Sequence, residues 1–97
     1  MEKYTIRLYV LGETPMARRA IENLKAICAE PEVGAHYEAE VINLLEHPQL
    51  AEDERIVATP MLVKHLPLPM RRIIGDLSDH EKVLIGLDIH PLPPDDA

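Results

Sequence analysis

Residues 4–45 run strand, helix, strand, and no other feature of the 97-residue chain constrains its fold as much. In YTIRLYVL (residues 4–11), Ile6, Leu8 and Val10 alternate with Thr5, Arg7 and Tyr9, the period of a half-buried strand. The turn GETP follows, with Thr14 placed to cap and Pro15 suited to a first helical turn. Ala17, Ala20, Ile21, Leu24, Ile27 and Cys28 then form one apolar stripe of a helix. Pro31 and Gly34 end it, and HYEAEVINLL (residues 36–45) returns to period two, with Tyr37, Ala39 and Val41 set against Glu38 and Glu40. A strand–helix–strand crossover pairs its strands in parallel with a right-handed connection, so the expected class is α/β.

The second half is less decided. QLAEDERIVA (residues 49–58) reads as a short helix whose acids lie near its positive end. After Thr59-Pro60, MLVKHL (residues 61–66) reads as a strand, LPLPM as a proline-limited connection, and RRIIGDL (residues 71–77) as a strand or a helical turn. SDHEKVLIGLDI (residues 78–89) supports two structures. Ser78 followed by Glu81 has the form of a capping box, which predicts a helix. Val83, Ile85, Leu87 and Ile89 alternate, and Gly86 disfavours a helix interior, which together predict a strand. The expected organisation is a single domain over residues 1–90 with a disordered Pro/Asp tail over residues 91–97.

Composition narrows the function. A hydrophobic content of 46% suffices for a core without disulfides or a structural metal. With no Phe or Trp, and only Tyr4, Tyr9 and Tyr37 aromatic, a base-stacking surface is hard to build. The net charge of −7, from 17 acidic and 10 basic residues, repels phosphate backbones and anionic lipid, which argues against nucleic acid and membrane partners. Cys28 alone forms no internal disulfide, no apolar run reaches a membrane span, and the start MEKYTIRL is not a signal peptide, so a cytoplasmic setting is expected.

A strand–helix–strand start followed by Thr-Pro before a strand is the plan of a thioredoxin-like domain. Redox chemistry in such a domain needs a thiolate where the first strand meets the first helix, and Gly12-Glu13-Thr14-Pro15 supplies none. Cys28 lies about four turns into the helix on its apolar stripe, the place of a small buried hydrophobe. His36, His47, His65, His80 and His90 show no metal-ligand spacing, and the phosphate-cradling patterns GxxxxGK[ST] and GxGxxG are missing, so no metal, cofactor or nucleotide is expected. Arg71 and Arg72, approached through Pro67 and Pro69, are candidates for a partner contact.

The run ATPMLVKHLPLPMRRIIGDLSDHEKVLIGLD (residues 58–88) resembles the signature of the KaiB circadian-clock family, as do LYV in the first strand, the GETP turn and HPQLAEDERIVATP (residues 47–60). The resemblance implies a thioredoxin-like, fold-switching, non-enzymatic regulator that binds the ATPase KaiC and competes there with a sensor kinase carrying a related domain. It implies a constant βαβ N-terminal half. The C-terminal half would either complete a βαββα-type thioredoxin-like fold or adopt a rearranged ground state that self-associates as a dimer or tetramer. A stand-alone adaptor for a histidine kinase is the alternative, and a degenerate thiol oxidoreductase a further one. Where the family shows three consecutive prolines, this chain has Pro67-Leu68-Pro69.

On that basis the fold-switch candidates are Thr59, Pro60, Pro67, Pro69, Ser78, Glu81, Gly86 and Asp88, and the partner-binding candidates are Arg71, Arg72, Glu54 and Arg55. X–Pro isomerisation over ~10–100 s would set the switching rate. Two folds of one sequence must lie within a few kcal/mol of each other. A cap contributes about 1 kcal/mol to the helix at residues 78–89, Gly86 costs about the same, and Asp88 opposes the macrodipole by roughly 0.3–1 kcal/mol. Gly86→Ala and Asp88→Arg are therefore both expected to favour the thioredoxin-like state.

Overall fold

The computed structural model describes residues 3–89. Strand β1 (Tyr4–Val10) is the organising element, because both of its neighbours are long-range partners. Helix α1 (Pro15–Cys28) follows, capped by Thr14, whose hydroxyl accepts from Ala17 N at 3.0 Å, and it starts on Pro15 as expected. A single helical turn, α2 (Pro31–Gly34), leads to β2 (Tyr37–Asn43), which pairs with β1 in parallel, Leu8 opposite Val41. Helix α3 (Pro48–Asp53) precedes β3 (Met61–Lys64) and β4 (Arg71–Ile74), both added antiparallel, and α4 (His80–Gly86) is the last element among the described residues. The sheet order is β2-β1-β3-β4. Residues 91–97, expected as a tail, lie outside the described residues, as does His90.

Alternation along β1 divides the interior in two. Ile6, Leu8 and Val10 face one core with Leu62 of β3, Ala17, Ala20, Leu24 and Ile27 of α1, and Val83 of α4, with Leu87 just beyond it. Tyr9 faces the other way, against Leu44, Met61 and Val63, under Leu50, Ala51 and Ile56. Ala39 and Val41 were expected inside, yet both are exposed, because β2 is an edge strand with no neighbour on its outer side.

The helix expected over 49–58 is shorter and starts earlier. Pro48 takes its first position, Arg55 ends it at φ 54°, and Ile56 N returns to Ala51 O at 2.8 Å, the closing bond of a Schellman motif. Its first turn therefore carries no acid, and Glu52 and Asp53 sit at the negative end, the reverse of the expectation.

Within residues 78–89, His80–Gly86 are helical in this fold. Val83 is 2% exposed, Leu87 0% and Ile85 72%, a four-residue spacing that places Ile85 outside and excludes a one-faced strand. Ile89 is buried by a different device: Asp88 turns at φ 57° and Ile89 N bonds Leu84 O at 2.8 Å, a second Schellman closure.

The cap is Asp79 rather than Ser78. Asp79 Oδ1 accepts from Lys82 N at 3.1 Å, so the box expected between Ser78 and Glu81 is displaced by one residue. Ser78 serves the preceding turn, its N–H donating to Asp76 Oδ1 at 3.1 Å. Gly86 is the last residue of α4, and a Cβ there would stand 2.7 Å from Ile73 Cδ1, so its small size is what lets α4 lie against β4.

Candidate interaction site of a thioredoxin-like domain

Alternation sends Arg71 and Arg72 to opposite faces of β4. Arg72 pairs with Val63 across the sheet and its Nη1 donates to the carbonyl of Arg55 at 3.0 Å. Arg55 can offer that carbonyl because the αL turn ending α3 brings residue 55 over β4. One residue back, Glu54 Oε1 lies 3.0 Å from His65 Nε2, just past the end of β3. Glu54, Arg55 and Arg72 are thus brought together with His65, a residue that its position in the sequence did not single out. Further along the same face, Arg7 Nε meets Glu40 Oε1 at 3.0 Å. Tyr9 sits under them with its hydroxyl buried, and burial pushes the phenol above its usual range.

Arg71 belongs to the other face, opposite Lys64, and is apart from this cluster. Lys64 is 1% exposed, an unusual place for a lysine, and burial lowers its pKa. Its Nζ donates to Pro67 O at 2.7 Å, fixing the connection that carries Pro67 and Pro69. The peptide bonds preceding Pro60, Pro67 and Pro69 are cis. Pro60 O accepts from Gly75 N at 2.9 Å, tying the residue before β3 to the residue after β4.

Helix α1 holds the turn ahead of α4. Asn23 Nδ2 donates to Asp76 O at 2.7 Å and Arg19 Nε lies 3.4 Å from Asp76 Oδ2. Hydrogen bonds from Ser78, with Arg19 adding, hold the Asp76 carboxyl below the usual carboxylate range. Leu77 between them adopts φ 64°, so left-handed residues stand on both sides of α4, at Leu77 and Asp88. Neither Leu77 nor the Asn23 contact carries a local sequence signal, since both depend on where α1 lies in space.

Cys28 is half-buried and its thiol is pushed up by burial, away from the thiolate that exchange requires. Among the described residues no group of three or more His, Cys, Asp or Glu side chains could hold a metal ion, and no helix is long and apolar enough to cross a membrane.

The profile of the KaiB domain family matches residues 7–89. The chain belongs to the KaiB family. It is 58% identical over 86 residues to the circadian clock oscillator protein KaiB of Synechococcus elongatus, covering 89% of this chain and 83% of that one. To the circadian clock protein KaiB3 of Synechocystis it is 50% identical over 91 residues, 94% of this chain and 88% of the relative. Among solved structures, the fold is similar to the N-terminal domain of Synechococcus elongatus SasA, with a TM-score of 0.71 and 28% identity over 93% of this chain and 88% of that one. It also matches the thioredoxin Deadhead of Drosophila melanogaster at a TM-score of 0.68 and 11% identity, over 91% of this chain and 82% of that one, which shows the thioredoxin-like fold alone. This KaiB-family chain thus shares its fold with the SasA N-terminal domain.

Proposed function

We propose that this chain is a non-enzymatic clock or timer regulator that binds a KaiC-type ATPase, modulates its phosphorylation and ATPase cycle, and competes there with a sensor kinase carrying a related thioredoxin-like domain. The observation that carries the reading is the fold: over 93% of its length the KaiB-family chain superposes on the SasA domain. Two proteins with one backbone shape can present equivalent surfaces to one partner. The cluster of Glu54, Arg55 and Arg72 is the surface proposed for that contact, with Arg71, on the opposite face of β4, a separate candidate. Arginine supports such a role through its planar, multiply donating head group.

The reading extends to exchange between this fold and a second, self-associating one. Support lies in residues 77–89, where a β-rich alternation has been folded as a helix flanked by left-handed residues at Leu77 and Asp88. Each such residue costs about 1 kcal/mol, which offsets part of the burial that holds this segment as a helix.

Capture on an immobilised KaiC-type ATPase, with and without ATP, tests the first statement. The chain is expected to be retained and to be displaced by an excess of the SasA N-terminal domain; retention with no displacement would overturn the competition. Arg72→Glu is expected to weaken retention about tenfold, whereas Cys28→Ser leaves it unchanged. Two sets of NMR resonances for residues 77–89, with populations that change with protein concentration, are expected from the exchange.

A further inference from the structure

Arg72 is anchored through a single nitrogen. Its Nη1 donates to the Arg55 carbonyl at 3.0 Å, and among the described residues Nε and Nη2, side by side on the other edge of the planar head group, have no partner. The residue is exposed, and two parallel N–H groups match the two oxygens of a carboxylate. The chain carries 17 acidic residues, yet among the described residues no acidic side chain comes within ion-pair distance of Arg72, or of the exposed Arg55.

The acids of the adjoining turn are engaged elsewhere. Asp53 Oδ1 accepts from Gln49 Nε2 at 3.1 Å. Glu54 turns its carboxylate inward, with Oε1 3.0 Å from His65 Nε2 and the side chain only 23% exposed. Glu54 and His65 line one pocket of about 470 Å³ with Lys3 and Arg7, and Arg7 is itself engaged by Glu40 at 3.0 Å. Glu54 therefore faces the cations of that pocket instead of Arg72, although Arg72 is docked on the carbonyl of the very next residue. Consecutive Cα atoms are about 3.8 Å apart, so a Glu54 carboxylate let go by His65 has the Arg72 head group within the reach of its side chain.

An internal carboxylate and one from a partner compete for the same edge, and the internal one has the advantage of a short tether. We propose that His65 is a positioning residue of the contact surface: by holding the Glu54 carboxylate it keeps the Nε and Nη2 edge of Arg72 open, and that edge takes a carboxylate side chain of the partner protein. The inference rests on the contact surface proposed above and names the chemistry that surface accepts. Glu54 then acts as the acid kept out of the contact, and Arg72 as the group that makes it.

The test reads the full isotope-labelled chain in two ways. NMR follows the Arg72 Nε–Hε signal during titration with acetyl-Glu-Asp-Glu-Asp-amide or with its neutral counterpart acetyl-Gln-Asn-Gln-Asn-amide, and capture on the KaiC-type ATPase reads retention. The Arg72 signal is expected to move saturably with the acidic peptide alone. His65→Leu is expected to weaken peptide binding and retention about threefold or more, while His65→Gln, which keeps a side-chain donor, stays close to wild type. Adding Glu54→Gln to His65→Leu is expected to restore both, because glutamine brings no charge to the Arg72 edge; a loss caused by packing alone would not be repaired. An Arg72 signal indifferent to the acidic peptide, a His65→Leu variant that binds as wild type, or a double variant as weak as His65→Leu would overturn the inference. Peptide binding in the expected order with no retention would support the carboxylate site and overturn the ATPase as its partner, whereas retention indifferent to His65→Leu would uphold the partner and overturn the role of His65.

Discussion

The Lys64 ammonium, 1% exposed in the first core face of the sheet, donates to the Pro67 carbonyl at 2.7 Å and so ties β3 to the connection that follows it. Its four-carbon stem contributes packing while its charge opposes burial. Lys64→Met, which keeps the stem and removes the charge, is expected to change stability by less than about 1.5 kcal/mol, whereas Lys64→Ala costs about 2–4 kcal/mol. Urea unfolding of the two variants checks the difference. Burial lowers the folded pKa below 10.5, so the folded chain releases this proton more readily than the unfolded one. The unfavourable contribution is complete below the folded value and relieved as pH rises through it, so wild type should gain on Lys64→Met toward pH 10.

Asp79 and Ser78 separate under mutation. Asp79→Ala removes the acceptor for Lys82 N and is expected to cost about 1 kcal/mol, read as an earlier melt and lost helical circular dichroism. Ser78→Ala leaves that acceptor in place and is expected to cost less than half as much in the same assay. Equal losses would return the cap to Ser78.

Gly86 and Asp88 do not act as helix propensity alone predicts. Gly86→Ala places a Cβ 2.7 Å from Ile73 Cδ1, so its gain of about 1 kcal/mol is expected only with Ile73→Val, where that methyl is absent. Denaturation of the single and double variants should show this non-additivity. Asp88 occupies a left-handed position, and Asp88→Gly is expected to be more stable than Asp88→Arg, which improves the dipole but keeps the backbone cost.

Asp76 joins α1 to the turn before α4, and its folded pKa lies below 3.8 because Ser78 and then Arg19 hold the carboxylate. The stability it contributes is present above the unfolded value and lost as pH falls through the folded one. Asp76→Asn should therefore be less stable than wild type at pH 6, with the gap narrowing below pH 4, measured by thermal melts across that range.

Legibility followed the range of the interactions. Thr14, Pro15 and the stripe from Ala17 to Cys28 act within one or two turns, so α1 was readable residue by residue. The acids of α3 were assigned to the wrong end because the left-handed turn at Arg55 is stabilised by Ile56 returning to Ala51, and arginine carries no sign of it. Arg71 and Arg72 were read as a pair, but a strand alternates, and Arg72 alone reaches Arg55.

By itself the sequence determined the α/β class, the parallel pairing of β1 with β2, and membership in the KaiB family, because hydrophobic period and ordered motifs are properties of the linear chain. It left residues 78–89 with two local answers of similar energy. Only the tertiary structure decided between them, by burying Val83 and Leu87 against α1 and the sheet while leaving Ile85 in water. That decision rests on surfaces distant in sequence, as does the meeting of Glu54 with His65 and of Asn43 with both Gly12 and Leu45. Local preference sets which structures are affordable to a segment, and long-range burial, larger by several kcal/mol, selects one of them.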